Sequence, residues 1–132
     1  DGDTCQTAID LPGPLPISIS GDTSGYHDYY NAGGGCQSPT VTDALPELVY
    51  TFTPPQTGTY KIKLATSNYG PMLVYLNTVC PPTPASCVHY SGDLYEFEEF
   101  TVNLTGSVKL YLYVDGLYAG DVGPYTLSIQ AL

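Results

Sequence analysis

Val108-Lys-Leu-Tyr-Leu-Tyr-Val-Asp-Gly-Leu-Tyr-Ala-Gly-Asp-Val-Gly-Pro-Tyr-Thr-Leu-Ser-Ile129 decides the fold. In its first half Val108, Leu110, Leu112 and Val114 share one side, and Lys109, Tyr111, Tyr113 and Asp115 the other. In its second half Tyr125, Leu127 and Ile129 oppose Thr126, Ser128 and Gln130. A side-chain period of two over such lengths predicts half-buried antiparallel strands, and therefore a β-sandwich or barrel. The Gly, Asp and Pro between the halves read as the loop of a closing hairpin.

Working outward, the same rhythm recurs. Leu48–Thr53 reads as a strand, Pro54–Gly58 as a turn, and Thr59–Ala65 as the returning strand, with Tyr60, Ile62 and Leu64 inward and Lys61 and Lys63 outward. Met72–Leu76 is a continuous apolar run and predicts a central strand covered on both faces. Cys87–Tyr90 reads as a short strand and Phe97–Leu104 as a long one. Leu15–Ser20 alternates, and its Pro16 suits an edge strand or a strand start. The opening segment, Asp1–Pro14, is expected to cover one edge with Ala8, Ile9 and Leu11. Gly21–Pro46 is long and irregular, the kind of connection that is functional or needs pinning. The total is about eight strands, with no stretch of helical period and no internal repeat.

The chain has 132 residues, read as a single domain over 1–132 that is large enough to bury its own core. Thirteen acidic residues against three lysines, and no arginine, give a net charge of -10. That balance argues against nucleic acid and anionic lipid, both of which need a cationic patch. No apolar run is long enough to span a membrane. The start at Asp1, with no signal peptide, reads as a processed or excised form.

Four cysteines in a loop-rich β chain point to disulfides and an oxidising compartment. Three connectivities are open. Spacing favours Cys5 with Cys36, tying the opening segment to the Gly-rich region, and Cys80 with Cys87 across a Pro-rich excursion. The first would close a loop of about thirty residues and stabilise by roughly 3–4 kcal/mol. Zinc is disfavoured because no Cys-x-x-Cys occurs and His27 and His89 stand alone.

Catalytic signatures are missing from the sequence. There is no Gly-x-Ser-x-Gly elbow, neither histidine lies in a recognisable triad, and Glu98 and Glu99 are adjacent on a strand and so point to opposite faces. Calcium is the candidate cofactor, because it takes oxygen ligands from loops. Asp22, Asp28, Asn31 and Glu47 form the candidate ligand set, and Asp1 and Asp3 with Asp115 or Asp121 a second cluster. Thirteen tyrosines and no tryptophan give a stronger signal. Tyr26, Tyr29, Tyr30, Tyr111, Tyr113 and Tyr118, with Tyr69 and Tyr95, fall in loops or on outward positions and suit an interaction surface. Asn103-Leu-Thr105 fits the N-glycosylation acceptor pattern.

Three stretches together resemble the bacterial pre-peptidase C-terminal domain family. They are Glu47-Leu-Val-Tyr-Thr-Phe-Thr-Pro-Pro-Gln-Thr-Gly-Thr-Tyr60, Tyr69-Gly-Pro-Met-Leu-Val-Tyr-Leu76, and Leu110–Ile129. Gly2-Asp-Thr-Cys-Gln-Thr-Ala-Ile9 resembles a frequent start of its cysteine-containing members. The resemblance implies a secreted, non-catalytic, jelly-roll-like antiparallel β-sandwich of the kind that sits beside a peptidase or other hydrolase. Some relatives bind calcium or a polymeric substrate, but their Asp-rich loop is here Ser91-Gly-Asp-Leu-Tyr-Glu-Phe-Glu-Glu99. The expected role is a structural or adhesive surface module, or a filament subunit, with protein partners or self-assembly. The alternative is an accessory domain that binds polysaccharide or protein substrate.

Overall fold

A computed structural model describes residues 4–11, 13–24, 47–66, 72–80, 84–90, 97–116 and 123–132. Among the described residues there are nine strands: β1 Ile9–Asp10, β2 Ile17–Asp22, β3 Glu47–Phe52, β4 Gly58–Thr66, β5 Met72–Asn77, β6 Cys87–Tyr90, β7 Phe97–Leu104, β8 Leu110–Gly116 and β9 Pro124–Ala131. Short 3-10 turns cover Cys5–Thr7 and Pro84–Ser86. All eight strands read from the periodicity are there. The ninth, β1, is two residues long, too short for alternation to reveal, and pairs in parallel with β3.

The strands form two sheets, a five-stranded one ordered β1-β3-β8-β5-β6 and a four-stranded one ordered β2-β9-β4-β7. The result is a jelly-roll-like sandwich. Between the sheets lies one apolar core: Leu48, Tyr50, Phe52, Val74, Leu76, Leu110, Leu112 and Val114 from the first sheet meet Ile17, Tyr60, Ile62, Leu64, Leu104, Tyr125, Leu127 and Ile129 from the second. Burying that much apolar area is the main driving force for closing the two layers.

The closing hairpin does not form. Both edges of β8 are occupied by β3 and β5, and both edges of β9 by β2 and β4, so the two halves of the deciding stretch lie in opposite sheets. The same holds for β3 and its supposed return β4. Alternation reports that one face of a strand is apolar; it does not report which sheet supplies the other half of the core. Of the eight connections in chain order, only β5 to β6 stays within a sheet.

Two short arches, 53–57 and 105–109, cross between the sheets at one end, here the arch end. The Ser107 amide donates to the Pro54 carbonyl at 2.9 Å and the Gly106 amide to Thr57 Oγ1 at 2.9 Å. Gly106 fits so closely that a Cβ there would lie 2.8 Å from the Thr57 nitrogen. Connections 25–46, 67–71, 91–96 and 117–122 join strands at the opposite end, the loop end. Gly21, near that end, lets two core tyrosines meet: Tyr50 and Tyr125 join their hydroxyls across the layers, and a Cβ on Gly21 would fall within 2.8 Å of Tyr50 Oη.

Candidate binding surface

The two sheets differ in what lies on their outer faces. On the five-stranded sheet the outward row Val49–Tyr113–Tyr75 crosses β3, β8 and β5 in register, and all three side chains are 0 % exposed. Thr51 and Asn77 in the next row are buried as well. Tyr75 and Tyr113 stack with ring centroids 4.6 Å apart. None of these outward aromatics belongs to the core between the sheets. They form a second buried layer.

The local sequence Asn77-Thr-Val-Cys80 explains part of its cover. Asn77 Oδ1 accepts the Val79 amide at 3.0 Å, bending the chain back after β5. The Val79 carbonyl then accepts the Tyr113 hydroxyl at 3.1 Å. The next residue, Cys80, is disulfide-bonded to Cys5 with a Cα separation of 5.7 Å, well inside the range a disulfide bridges. The opening segment is thus stapled beside this outer layer and continues into β1, where Thr51 Oγ1 donates to Asp10 Oδ1 at 2.9 Å.

This bridge overturns both disulfides favoured by spacing. Cys80 is taken by Cys5, and Cys87 is disulfide-bonded elsewhere. Short loop separation favoured Cys80 with Cys87, but the bend at Asn77 turns Cys80 toward the outer face while Cys87 stands opposite Asn77 in the ladder. Cys36 lies outside the described residues.

Tyr113 is likewise corrected: it is interior and offers nothing to a partner. Tyr111 remains partly exposed, with the Lys109 ammonium 5.3 Å from its ring centroid. Tyr26, Tyr29, Tyr30, Tyr69, Tyr95 and Tyr118 lie outside the described residues. Of the six tyrosines whose side chains are described, Tyr50, Tyr60, Tyr75, Tyr113 and Tyr125 are buried. Among the described residues, then, most tyrosines are interior. Tyr60 keeps its polar tip satisfied by donating to the Gln56 carbonyl at 2.5 Å.

In the calcium set, Asp22 ends β2, is exposed, and accepts the Ser24 amide on Oδ1 at 2.8 Å. The backbones of Glu47 and Asp115 pair across β3 and β8, while Asp1, Asp3, Asp28, Asn31 and Asp121 lie outside the described residues. Among the described residues no three His, Cys, Asp or Glu side chains converge on a cation position. His27 lies outside the described residues, and His89 stacks on Phe100 with centroids 3.8 Å apart, its burial holding the imidazole below its ordinary pKa.

The four-stranded sheet has the opposite character. Its outer face is a polar grid: Ser18, Ser128, Lys63 and Glu99 form one row in register across β2, β9, β4 and β7, and Gln130, Lys61 and Thr101 the next. Lys61 Nζ reaches Glu99 Oε1 diagonally at 3.7 Å. Lys61, Lys63, Glu99, Ser128 and Gln130 line a shallow groove of about 310 Å³, and a second of about 320 Å³ lies along Ser20, Ala65, Thr66 and Thr126 toward the loop end. Two of the chain's three lysines thus share one face. Ammonium, hydroxyl, amide and carboxylate groups side by side suit hydrogen bonding to a polar polymer. Sequence reading marked Lys61 and Lys63 as outward but did not single out the face; the polar alternate positions of β4 and β9 carried the signal. Asn103 is exposed at the end of β7, its Oδ1 accepting the Thr59 hydroxyl at 2.7 Å, and Thr105 of the same triplet is exposed.

Compared with known structures, the chain superposes on the pre-peptidase C-terminal domain of a collagenase from Bacillus anthracis, with a TM-score of 0.62 and 19% identity over 93% of this chain and 94% of that one. The fold is that of a pre-peptidase C-terminal domain. It is similar also to PliG of Aeromonas hydrophila, a periplasmic inhibitor of g-type lysozyme, with a TM-score of 0.60 and 12% identity over 96% of each chain. No protein-family model matches the chain, and no curated protein matches it in sequence. Among the described residues no helix is long and apolar enough to cross a membrane.

Proposed function

We propose that this chain is a non-catalytic extracellular module with a structural or adhesive role, acting through its surface. The observation that supports it is the division of labour between the sheets. The five-stranded sheet has Val49, Tyr75 and Tyr113 buried on its outer side as well as a full inner face. The four-stranded sheet keeps a broad polar face open. The Cys5–Cys80 staple suits an oxidising, extracellular setting.

A second reading, an accessory domain that holds a secreted hydrolase on polysaccharide or protein, draws support from the fold shared with a domain of a collagenase. In both readings the outer face of β2, β9, β4 and β7 makes the contact. The test is retention of the purified chain on immobilised polysaccharides and protein matrices. The expected result is retention that Lys61→Glu with Lys63→Glu weakens while leaving the melting midpoint in place. Turnover of a polymer by the isolated chain, or retention indifferent to that face, would contradict the reading.

A further inference from the structure

Four asparagines occur, Asn31, Asn68, Asn77 and Asn103, and only Asn103 has a Ser or Thr two places on, with Leu104 rather than proline between. The strand period sets what this triplet can do. Leu104 turns into the core and is buried, so Asn103 and Thr105 turn outward, and both are exposed. Asn103 is next to last in β7, an edge strand of the four-stranded sheet, where its register partner is Thr59 of β4. The chain then leaves the sheet: Thr105 opens the arch, its carbonyl accepting the Val108 amide at 3.3 Å. The Thr59 hydroxyl donates to Asn103 Oδ1 at 2.7 Å and so orients the amide, while Nδ2 takes no part in that bond. Acceptor residue and downstream hydroxyl residue thus stand exposed together where an edge strand ends.

We propose that Asn103 is an N-glycosylation site, its co-substrate a lipid-linked oligosaccharide. In the transfer a bond forms between Nδ2 and C1 of the first sugar, and the bond from C1 to the donor's phosphate oxygen breaks. The lipid phosphate leaves with that electron pair, and the amide loses one proton. The surroundings give the sugar a place to lie. A cavity of about 80 Å³ opens between β6 and β7, the edge strands of the two sheets, lined by Asn103 and Thr105 together with Val88, Leu104, Val108 and Leu110. Val108 is one of three large apolar side chains exposed among the described residues, at 41 %. An acceptor on the rim of this opening lets the first sugar lay its C–H face over Val108 and take that surface out of water. An edge strand is also a ready template for pairing with another chain, and bulk attached to β7 blocks that pairing. On the outer face Asn103 stands one outward position beyond Thr101, so the sugar borders the polar grid of Lys61, Lys63 and Ser128 rather than sitting on it.

This inference goes beyond the proposed function and takes from it only the extracellular setting. The test is peptide mapping of the full chain taken from the cells that make it. Trypsin cuts at Lys61, Lys63 and Lys109, so after reduction Asn103 is carried in peptide 64–109. That peptide is expected to be heavier than its sequence by whole sugar residues, with electron-transfer fragmentation placing the added mass on Asn103. Thr105→Ala made in the same cells returns the peptide to its bare mass, whereas Thr105→Ser keeps the addition; circular dichroism verifies that both variants are folded. The bare Thr105→Ala chain is also held longer than the parent on a hydrophobic-interaction column, and adding Val108→Ser shortens its retention again. Equal retention of parent and Thr105→Ala overturns the cover over Val108. A bare parent peptide from a chain whose Cys5–Cys80 bridge is intact overturns the site and leaves the extracellular setting standing, as does sugar found only on a Ser or Thr. A bare peptide with Cys5 and Cys80 present as thiols overturns both.

Discussion

The two sheets are built from the same alternating grammar and end in different states. On the five-stranded sheet the outward positions Val49, Tyr75 and Tyr113 are as buried as the inward ones, beside a segment stapled through Cys5 and Cys80. On the four-stranded sheet the outward positions Ser18, Ser128, Lys63 and Glu99 form an open polar row. An outward tyrosine next to a lysine is thus no guide to exposure. What decides it is whether another length of chain returns over the face, and how that length is held.

The sharpest way to break this contrast is to truncate equivalent outward residues. Tyr113→Ala empties a packed site and is expected to cost about 3–5 kcal/mol in chemical denaturation. Tyr111→Ala, two residues away and partly exposed under Lys109, is expected to cost less than about 1 kcal/mol. Equal costs would mean that the second layer is not a core. Next in size is the staple. Cys5→Ser with Cys80→Ser opens a bridge 75 residues apart in sequence and is expected to cost about 2–4 kcal/mol, with hydrogen exchange rising first at Tyr75 and Tyr113. Gly21→Ala forces a methyl group against the Tyr50–Tyr125 pair and is expected to cost about 1–3 kcal/mol. On the polar face, Ser128→Ala is expected to change stability by no more than about 0.5 kcal/mol, measured in the same denaturant series.

The smallest effect concerns pH. Burial holds His89 below its ordinary pKa in the folded chain, so the unfolded chain binds its proton more readily. Stability from this residue is therefore full above about pH 6.5 and declines as pH falls from there toward the folded-state value. A plot of denaturation midpoint against pH should be flatter across that window for His89→Gln than for the parent chain.

Strand existence was legible because alternation such as Tyr60, Ile62 and Leu64 against Lys61 and Lys63 is a local signal, and burial followed it on the four-stranded sheet, whereas on the five-stranded sheet Val49, Tyr75 and Tyr113 are buried on the outward side too. Sheet membership was not. Five residues at 53–57 read equally well as a hairpin turn or as an arch, and only the occupied edges of β3, β8, β9 and β4 choose between them. The same non-local information decided Cys80, which spacing joined to Cys87 and the bend at Asn77 delivers to Cys5. The polar face was half legible: the outward lysines of β4 were read, but Ser128 and Gln130 became their neighbours only through the β4–β9 register. In the run Met72–Leu76, read as covered on both sides, the described side chains Val74, Tyr75 and Leu76 are all buried, as a continuous apolar strand announces.

Non-reducing tryptic mapping tests this architecture most directly, because trypsin has only Lys61, Lys63 and Lys109 at which to cut. Digestion of the denatured, unreduced chain is predicted to give peptides 1–61 and 64–109 joined through Cys5 and Cys80, separating only on reduction. If those two peptides migrate apart before any reductant is added, each with its own internal bridge, the stapled outer layer does not exist.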